Sequence, residues 1–157
     1  MALETAVLWF YSMMASLVFG ASVYETLVVH PAWSRKPPES FVGFVGAPIS
    51  RLNIPAFWIP VAPLYAVSGL CALATAFWAG TQTMPLILSS ACAVVGVAWT
   101  LAYFRPTIER FLQQGGGSTS ADRLQAEAKQ WIVLNWIRVA LVVVSWLGVV
   151  VTLATHA

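Results

Sequence analysis

The sequence predicts an all-α membrane protein, a four-helix bundle embedded in the bilayer. Of the 157 residues, 59% are hydrophobic and only 9% are charged, whereas a soluble domain has about 25% charged residues. The mean hydropathy is +0.78. The apolar residues form four long runs, each near the roughly 20 residues that a helix needs to cross the hydrocarbon core. Short connections take up the rest, so we expect one domain over 1–157.

The first two spans are expected at about 6–29 and 54–79. The first ends before Pro31, because proline disfavours a helical backbone in the residue before it. It lacks the basic start and the cleavage site of a signal peptide, so we expect it to be retained. The second contains internal prolines that predict a kinked, irregular first half. Between them, the apolar stretch 41–45 is too short to span and is expected at the interface or as a re-entrant turn.

The third and fourth spans are expected at about 84–104 and 129–155. The third ends at Arg105, because Pro106 follows it. A glycine-rich break comes next, and a threonine three residues before Asp122 predicts a capping box that starts the last helix. That helix is longer than the bilayer requires, so its first turns are expected in water.

The distribution of basic residues predicts the orientation. Both termini are expected outside the cytoplasm, since Lys and Arg concentrate in cytoplasmic connections. The short chain and simple topology suggest a bacterial inner (plasma) membrane. A net charge of +2 without interleaved basic and aromatic residues argues against nucleic acid as a partner. Seven of the eight basic residues lie in the first and third connections: Arg35, Lys36, Arg51, Arg105, Arg110, Arg123 and Lys129.

Two ionisable residues stand inside predicted spans, where charges are costly and commonly functional. Glu25 lies about 7 Å and Arg138 about 13 Å from the cytoplasmic ends of their helices, at 1.5 Å per residue. A long arginine side chain can close that difference. Asn135 precedes Arg138 by three residues and Trp131 precedes Asn135 by four, so they share one helix face. We expect that face to point into the bundle.

Other polar and aromatic residues are expected at the same depth, and together they predict a site. His30 titrates near neutral pH and is a candidate base. A metal site is not expected, because the second histidine, His156, lies at the far end of the chain. The candidate catalytic residues are His30, Glu25, Arg138 and Asn135, and the candidate substrate-binding residues are Tyr24, Asn53, Trp58, Tyr103 and Trp136.

Structural roles would explain the same residues. A Glu25–Arg138 pair can simply fix how the helices register. Tyrosine and tryptophan near helix ends are ordinary interface anchors, and His30 before a proline fits an interfacial histidine. Cys71 and Cys92 lie inside predicted spans, so a disulfide is not expected and their role stays open.

Three stretches resemble the anthrone-oxygenase-like family of small four-span membrane proteins. They are Phe19–Thr26 leading to His30-Pro31-Ala32-Trp33, then 105–110, and then 131–138. The resemblance covers nearly the whole chain. It implies the four-helix fold, and fungal members oxidise anthrones to anthraquinones with dioxygen and no evident metal or flavin. No cofactor is therefore expected, although most bacterial members have no assigned activity.

If that chemistry carries over, His30 or Glu25 is the base that removes a ring proton. Arg138, Asn135 and Tyr24 would then stabilise the oxyanion, while Trp58 and Trp136 would form stacking walls.

The leading hypothesis is therefore a cofactor-independent oxygenase for an anthrone-like or other hydrophobic aromatic substrate. The rival is a non-catalytic helical subunit that assembles or stabilises a larger membrane complex. That rival predicts that Glu25 and Arg138 are consumed by pairing, that no cavity remains, and that another chain covers an apolar helix face. Transport ranks last, because the sequence has no repeat for alternating access. The expected partners are membrane lipids and a hydrophobic aromatic small molecule, and a homo-oligomer stays open.

Overall fold

The computed structural model describes residues 2–35, 40, 54–114 and 121–156. All regular structure in these ranges is helical, and four of the described helices are long and apolar enough to cross a membrane. This confirms the predicted all-α fold with membrane-length helices. The stretch 41–45, the capping threonine Thr119 and the site candidate Asn53 lie outside the described residues.

The helices follow one another as α1 to α4. Two of them change from α-helix to π-helix and back along their length. The bounds are α1 (Ala2–Tyr24, then π-helical Glu25–Val29, then His30–Trp33), α2 (Ile54–Ala79), α3 (Met84–Trp99, then π-helical Thr100–Phe104, then Arg105–Gln114) and α4 (Ala121–His156).

α1 widens into a π-helical turn just before Pro31. The His30 N–H donates to the Glu25 carbonyl, five residues earlier rather than the four of an α-helix. Proline has no N–H to donate, and its ring clashes with the carbonyl four residues back. The wide turn makes room for the ring, so the helix continues to Trp33 instead of ending at Val29 as predicted.

α3 has the same feature before Pro106. The Arg105 N–H donates to the Thr100 carbonyl, again five residues back. Helical structure therefore continues to Gln114 and does not end at Phe104 as the sequence predicted. A proline inside a membrane helix can be absorbed by such a local adjustment.

α2 is a continuous α-helix over its described length, and the irregular first half that its prolines predicted is absent from this range. Pro60 and Pro63 both lie on its exposed outer face. A short turn joins α2 to α3, in which Gly80 adopts a φ of +71° that glycine tolerates without strain. Thr83 then caps α3, because its hydroxyl accepts from the Leu86 N–H at 3.4 Å.

The helices pack in a ring, in which α1 and α3 each contact both α2 and α4. Tyr11 of α1 joins them at the centre. Its hydroxyl hydrogen-bonds with Ser89 of α3 at 2.8 Å and with Ser145 of α4 at 2.9 Å. Its ring stacks on Tyr65 of α2, with 6.1 Å between the centroids. A single buried side chain thus contacts the other three helices.

The two ends of the bundle differ in chemistry. At one end, the Thr81 hydroxyl donates to the Glu4 carboxylate, and the Thr83 and Thr152 hydroxyls lie 3.5 Å apart. The start of α1, the α2–α3 turn and the end of α4 therefore meet, which puts both termini at this end. The other end carries exposed basic residues: Arg35, Arg105, Arg110, Arg123 and Lys129.

Candidate functional site

A buried polar group lies between α1 and α4, toward the basic end of the bundle. Asn135 is fully buried at its centre. Its amide nitrogen lies 2.9 Å from the Thr26 hydroxyl oxygen and 3.3 Å from Nδ1 of His30, while its amide oxygen accepts from Nε of Arg138 at 3.0 Å. Both polar atoms of this side chain are thus engaged, as a buried amide requires.

The Arg138 guanidinium is held by three helices. Besides its bond to Asn135 on α4, its Nη1 donates to the Thr100 hydroxyl on α3 at 3.4 Å. The guanidinium carbon lies 5.2 Å from the ring centroid of Phe104 and 5.8 Å from that of Trp58 on α2. Aromatic faces attract a cation at these distances. They help to explain how a charge is tolerated among apolar helices.

Glu25, at the start of the π-helical turn of α1, has a neutral hydrogen-bond partner. Its Oε1 accepts from the indole Nε1 of Trp58 at 2.5 Å. Trp58 also contacts Arg138, so Glu25 and Arg138 lie on the same tryptophan. The two do not form an ion pair, since the ion pairs among the described residues are all at the basic end: Arg105–Glu109, Arg110–Glu127 and Arg123–Glu127.

Aromatic rings close the group on the side of the basic end. The Trp131 ring meets the His30 ring edge-on, with 4.8 Å between the centroids, and meets Phe104 in the same way at 5.2 Å. Val29 and Leu124 are buried against these rings. The His30 imidazole therefore lies between the Asn135 amide and the apolar side chains around Trp131.

The structure brings together most of the site residues that the sequence predicted. They are Glu25, His30, Trp58, Asn135 and Arg138. Trp58 was predicted as a stacking wall and also donates a hydrogen bond to Glu25.

Two predicted residues, Tyr24 and Trp136, lie outside this group. A third, Tyr103, contacts one of its aromatic rings. Tyr24 is 58% exposed and Trp136 is 49% exposed. Each is the immediate neighbour of an inward-facing residue, and successive helical side chains point about 100° apart. Tyr103 contacts Phe104, with 5.2 Å between the ring centroids.

Sequence reasoning missed three members of the group: Thr26, Thr100 and Phe104. Ionisable side chains are rare inside membrane helices and therefore indicate a site. Threonines are common there, so their presence alone predicts nothing. A signal was present on α1, where Ser22, Thr26 and His30 recur at intervals of four and so share one face.

Comparison with known families decides which family this chain belongs to. The model of a family described as anthrone oxygenase matches residues 53–148, more than half of the chain. The chain belongs to the anthrone oxygenase family. This confirms the resemblance found in the sequence. The matched range holds Trp58, Thr100, Asn135 and Arg138, whereas Glu25 and His30 precede it. Comparisons with curated proteins and with solved structures gave no match.

Proposed function

We propose that this protein is a cofactor-independent oxygenase of the membrane, acting on an anthrone-like or other hydrophobic aromatic substrate. One observation carries the proposal. Glu25 and Arg138 are an acid and a base that both contact Trp58, and yet each hydrogen-bonds neutral partners. Two charges whose only purpose was to neutralise each other inside a membrane would be expected to pair directly.

This arrangement leaves capacity for a ligand. A guanidinium has five N–H donors, and the described side chains use two of them on Arg138. Among the described residues, only Trp58 donates to Glu25, so one carboxylate oxygen remains to accept a proton. A base and an anion-binding cation side by side meet the needs of a reaction that creates an oxyanion by proton removal.

In the proposed reaction, Glu25 removes a proton from the ring CH₂ of the anthrone. The electron pair delocalises onto the carbonyl oxygen across the ring, and the Arg138 guanidinium stabilises that anion. The carbon then bonds to dioxygen, and the peroxide anion formed in this way takes the proton back from Glu25. The resulting hydroperoxide loses water and leaves a second carbonyl. Anthrone and dioxygen thus give anthraquinone and water, and the carboxylate is regenerated.

The rival hypothesis of a non-catalytic assembly subunit predicts that Glu25 and Arg138 are consumed by each other. Their separate hydrogen bonds, to Trp58 and to Asn135, do not fit that expectation. The family match also favours the oxygenase.

We further propose that the basic end of the bundle faces the cytoplasm, in the inner membrane of a bacterium. The support is the exposure of its basic residues at one end, together with the preference of Lys and Arg for cytoplasmic connections. Both termini then lie outside the cytoplasm, and the site lies near the inner leaflet.

The proposal is tested by anthrone oxidation with the purified protein in lipid bilayers. Anthraquinone formation and oxygen uptake are measured together, with the rate in protein-free bilayers subtracted. Arg138→Met removes the cation at similar length, and we expect about a 10²-fold loss in kcat, as for removal of an oxyanion donor. Arg105→Met is the matched control, because Arg105 is exposed and pairs only with Glu109 among the described residues.

Arg138→Lys guards against misfolding, since it keeps the charge while losing the forked geometry of the guanidinium. We expect it to fold and to retain a small part of the activity. A folded Arg138→Met protein that oxidises anthrone at the wild-type rate would overturn the proposal.

A further inference from the structure

The chemistry of Arg138 fixes the orientation of Asn135. Arginine has donors and no acceptor, so the atom of Asn135 that lies 3.0 Å from Nε of Arg138 must be its amide oxygen. The reversed amide would set an NH₂ against a guanidinium N–H. The nitrogen of Asn135 therefore faces α1.

Thr26 agrees with this orientation. Its hydroxyl donates to the Ser22 carbonyl at 2.7 Å. Its hydrogen is thereby used, so its oxygen can only accept from the Asn135 nitrogen 2.9 Å away. Two independent neighbours, one a pure donor and one an acceptor, thus specify the same amide orientation.

The oriented amide in turn fixes the protonation of His30. Nδ1 of His30 lies 3.3 Å from the Asn135 nitrogen, which carries only donors. If Nδ1 also carried a hydrogen, two donors would oppose each other in a buried place. Nδ1 must accept, which leaves the imidazole neutral with its hydrogen on Nε2.

We propose that Asn135 is a positioning residue that holds His30 as the neutral Nε2–H tautomer, and that Glu25 is consequently the base. The second half rests on the proposed function. The one basic nitrogen of this tautomer is already engaged by Asn135, so His30 has no lone pair to offer a ring proton. The Glu25 carboxylate does have a lone pair that can accept this proton. Asn135 is predicted from the sequence as an oxyanion stabiliser, but its amide nitrogen is taken up by His30 and Thr26 and its amide oxygen by Arg138.

The tautomer is measured directly by nitrogen NMR on ¹⁵N-histidine-labelled protein in lipid bilayers. The chain has two histidines, and the His156→Gln background leaves His30 as the sole signal. We expect a protonated Nε2 and an unprotonated Nδ1. Asn135→Asp replaces the facing donor by an acceptor, so Nδ1 should become protonated. The inference would be overturned if Nδ1 of His30 is protonated in the protein that keeps Asn135. It would also be overturned if Nδ1 stays unprotonated in the Asn135→Asp variant.

The choice of base is tested with two variants in the anthrone assay. His30→Asn places an amide oxygen near the former Nδ1, which keeps an acceptor for Asn135 but cannot take a proton. We expect its kcat within about tenfold of wild type, whereas Glu25→Gln should lose about 10²-fold or more. Equal losses in both variants would overturn the assignment of Glu25.

The tautomer of His30 and the assignment of Glu25 as the base can be overturned independently. Wild-type protein without anthrone turnover would remove the role of Glu25 together with the proposed function, while the nitrogen signals still decide the tautomer that Asn135 imposes on His30.

Discussion

Tyr11 and Tyr65 are stacked on each other and equally buried, but their hydroxyls have different surroundings. The Tyr11 hydroxyl bonds with the serine hydroxyls of α3 and α4. The Tyr65 hydroxyl makes no hydrogen bond with any described residue. A buried polar group contributes to stability only when it has a partner. The two rings are therefore expected to respond differently to the same substitution.

We expect Tyr11→Phe to lower the free energy of unfolding by about 1–2 kcal/mol, because it removes two buried hydrogen bonds, and Ser89 keeps, among the described residues, only its bond to the Ser145 carbonyl. Tyr65→Phe removes the same atom and is the matched control, with an expected change within about 0.5 kcal/mol. Both are measured by reversible unfolding in mixed micelles. A larger loss in Tyr65→Phe than in Tyr11→Phe would contradict this account of the core.

Single side chains also show what the sequence could and could not reveal about the site. Glu25 and Arg138 stood out because charges are rare in membrane helices. Only the depth of Tyr24 and Trp136 in the bilayer predicts them as site residues, and depth does not specify which way a helical side chain points. Thr26 and Thr100 became visible only once the helices were packed, because their partners are more than 35 residues away in sequence.

The helices α3 and α4 lie close together at Gly148. A Cβ built there would lie 2.6 Å from the Pro85 carbonyl oxygen and 2.8 Å from Cβ of Ser89. Small residues at such crossings let membrane helices pack backbone to backbone. Ser89 also hydrogen-bonds with Tyr11. A larger side chain at position 148 that displaced Ser89 would therefore also disturb this hydrogen bond at the centre of the bundle.

Gly148→Ala is therefore expected to destabilise the protein by about 1–3 kcal/mol, the usual cost of overpacking. Gly20→Ala serves as its control, because nothing lies within 4 Å of a Cβ at that position. There, the better helix propensity of alanine should leave stability unchanged or slightly higher. Thermal unfolding of the two variants in the same detergent compares them. Equal stability of the two would contradict the close crossing.

The bounds of the helices were the part of each element that the sequence predicted least well. Apolar runs located the helices, because a length near 20 residues is dictated by the bilayer. The sequence predicts helix ends at Pro31 and Pro106, whereas a π-helical turn ahead of each lets the helix continue. Whether a proline ends a helix or widens it depends on what the next turns contact, which a local pattern does not contain.

Across the bundle, charge separates the two ends. The termini and the α2–α3 turn gather at the end without Lys or Arg among its described residues, and the basic residues lie at the other. The fold class and this polarity were both predictable, because composition and the spacing of charges determine them. The ring order of the helices was not, since it depends on side chains that meet across the whole chain.

The proposed orientation predicts which end an impermeant reagent reaches. On a Cys71→Ala, Cys92→Ala background, we expect Gln82→Cys in the α2–α3 turn to react with an impermeant maleimide added to intact cells. Gln125→Cys, exposed near the start of α4, should react only after the cells are opened. The reversed pattern would contradict the orientation and would place the site near the outer leaflet.

The length of α4 has a practical consequence. Its 36 residues measure about 54 Å at 1.5 Å per residue, against a hydrocarbon core of about 30 Å. Much of it therefore projects into water beside α3, to which Arg110 and Glu127 tie it at 3.7 Å. At 17.0 kDa the protein is too small to align easily in electron micrographs. A rigid helical fusion partner, spliced in phase between α3 and α4 in place of residues 115–120, would give it a visible fiducial without touching the bilayer.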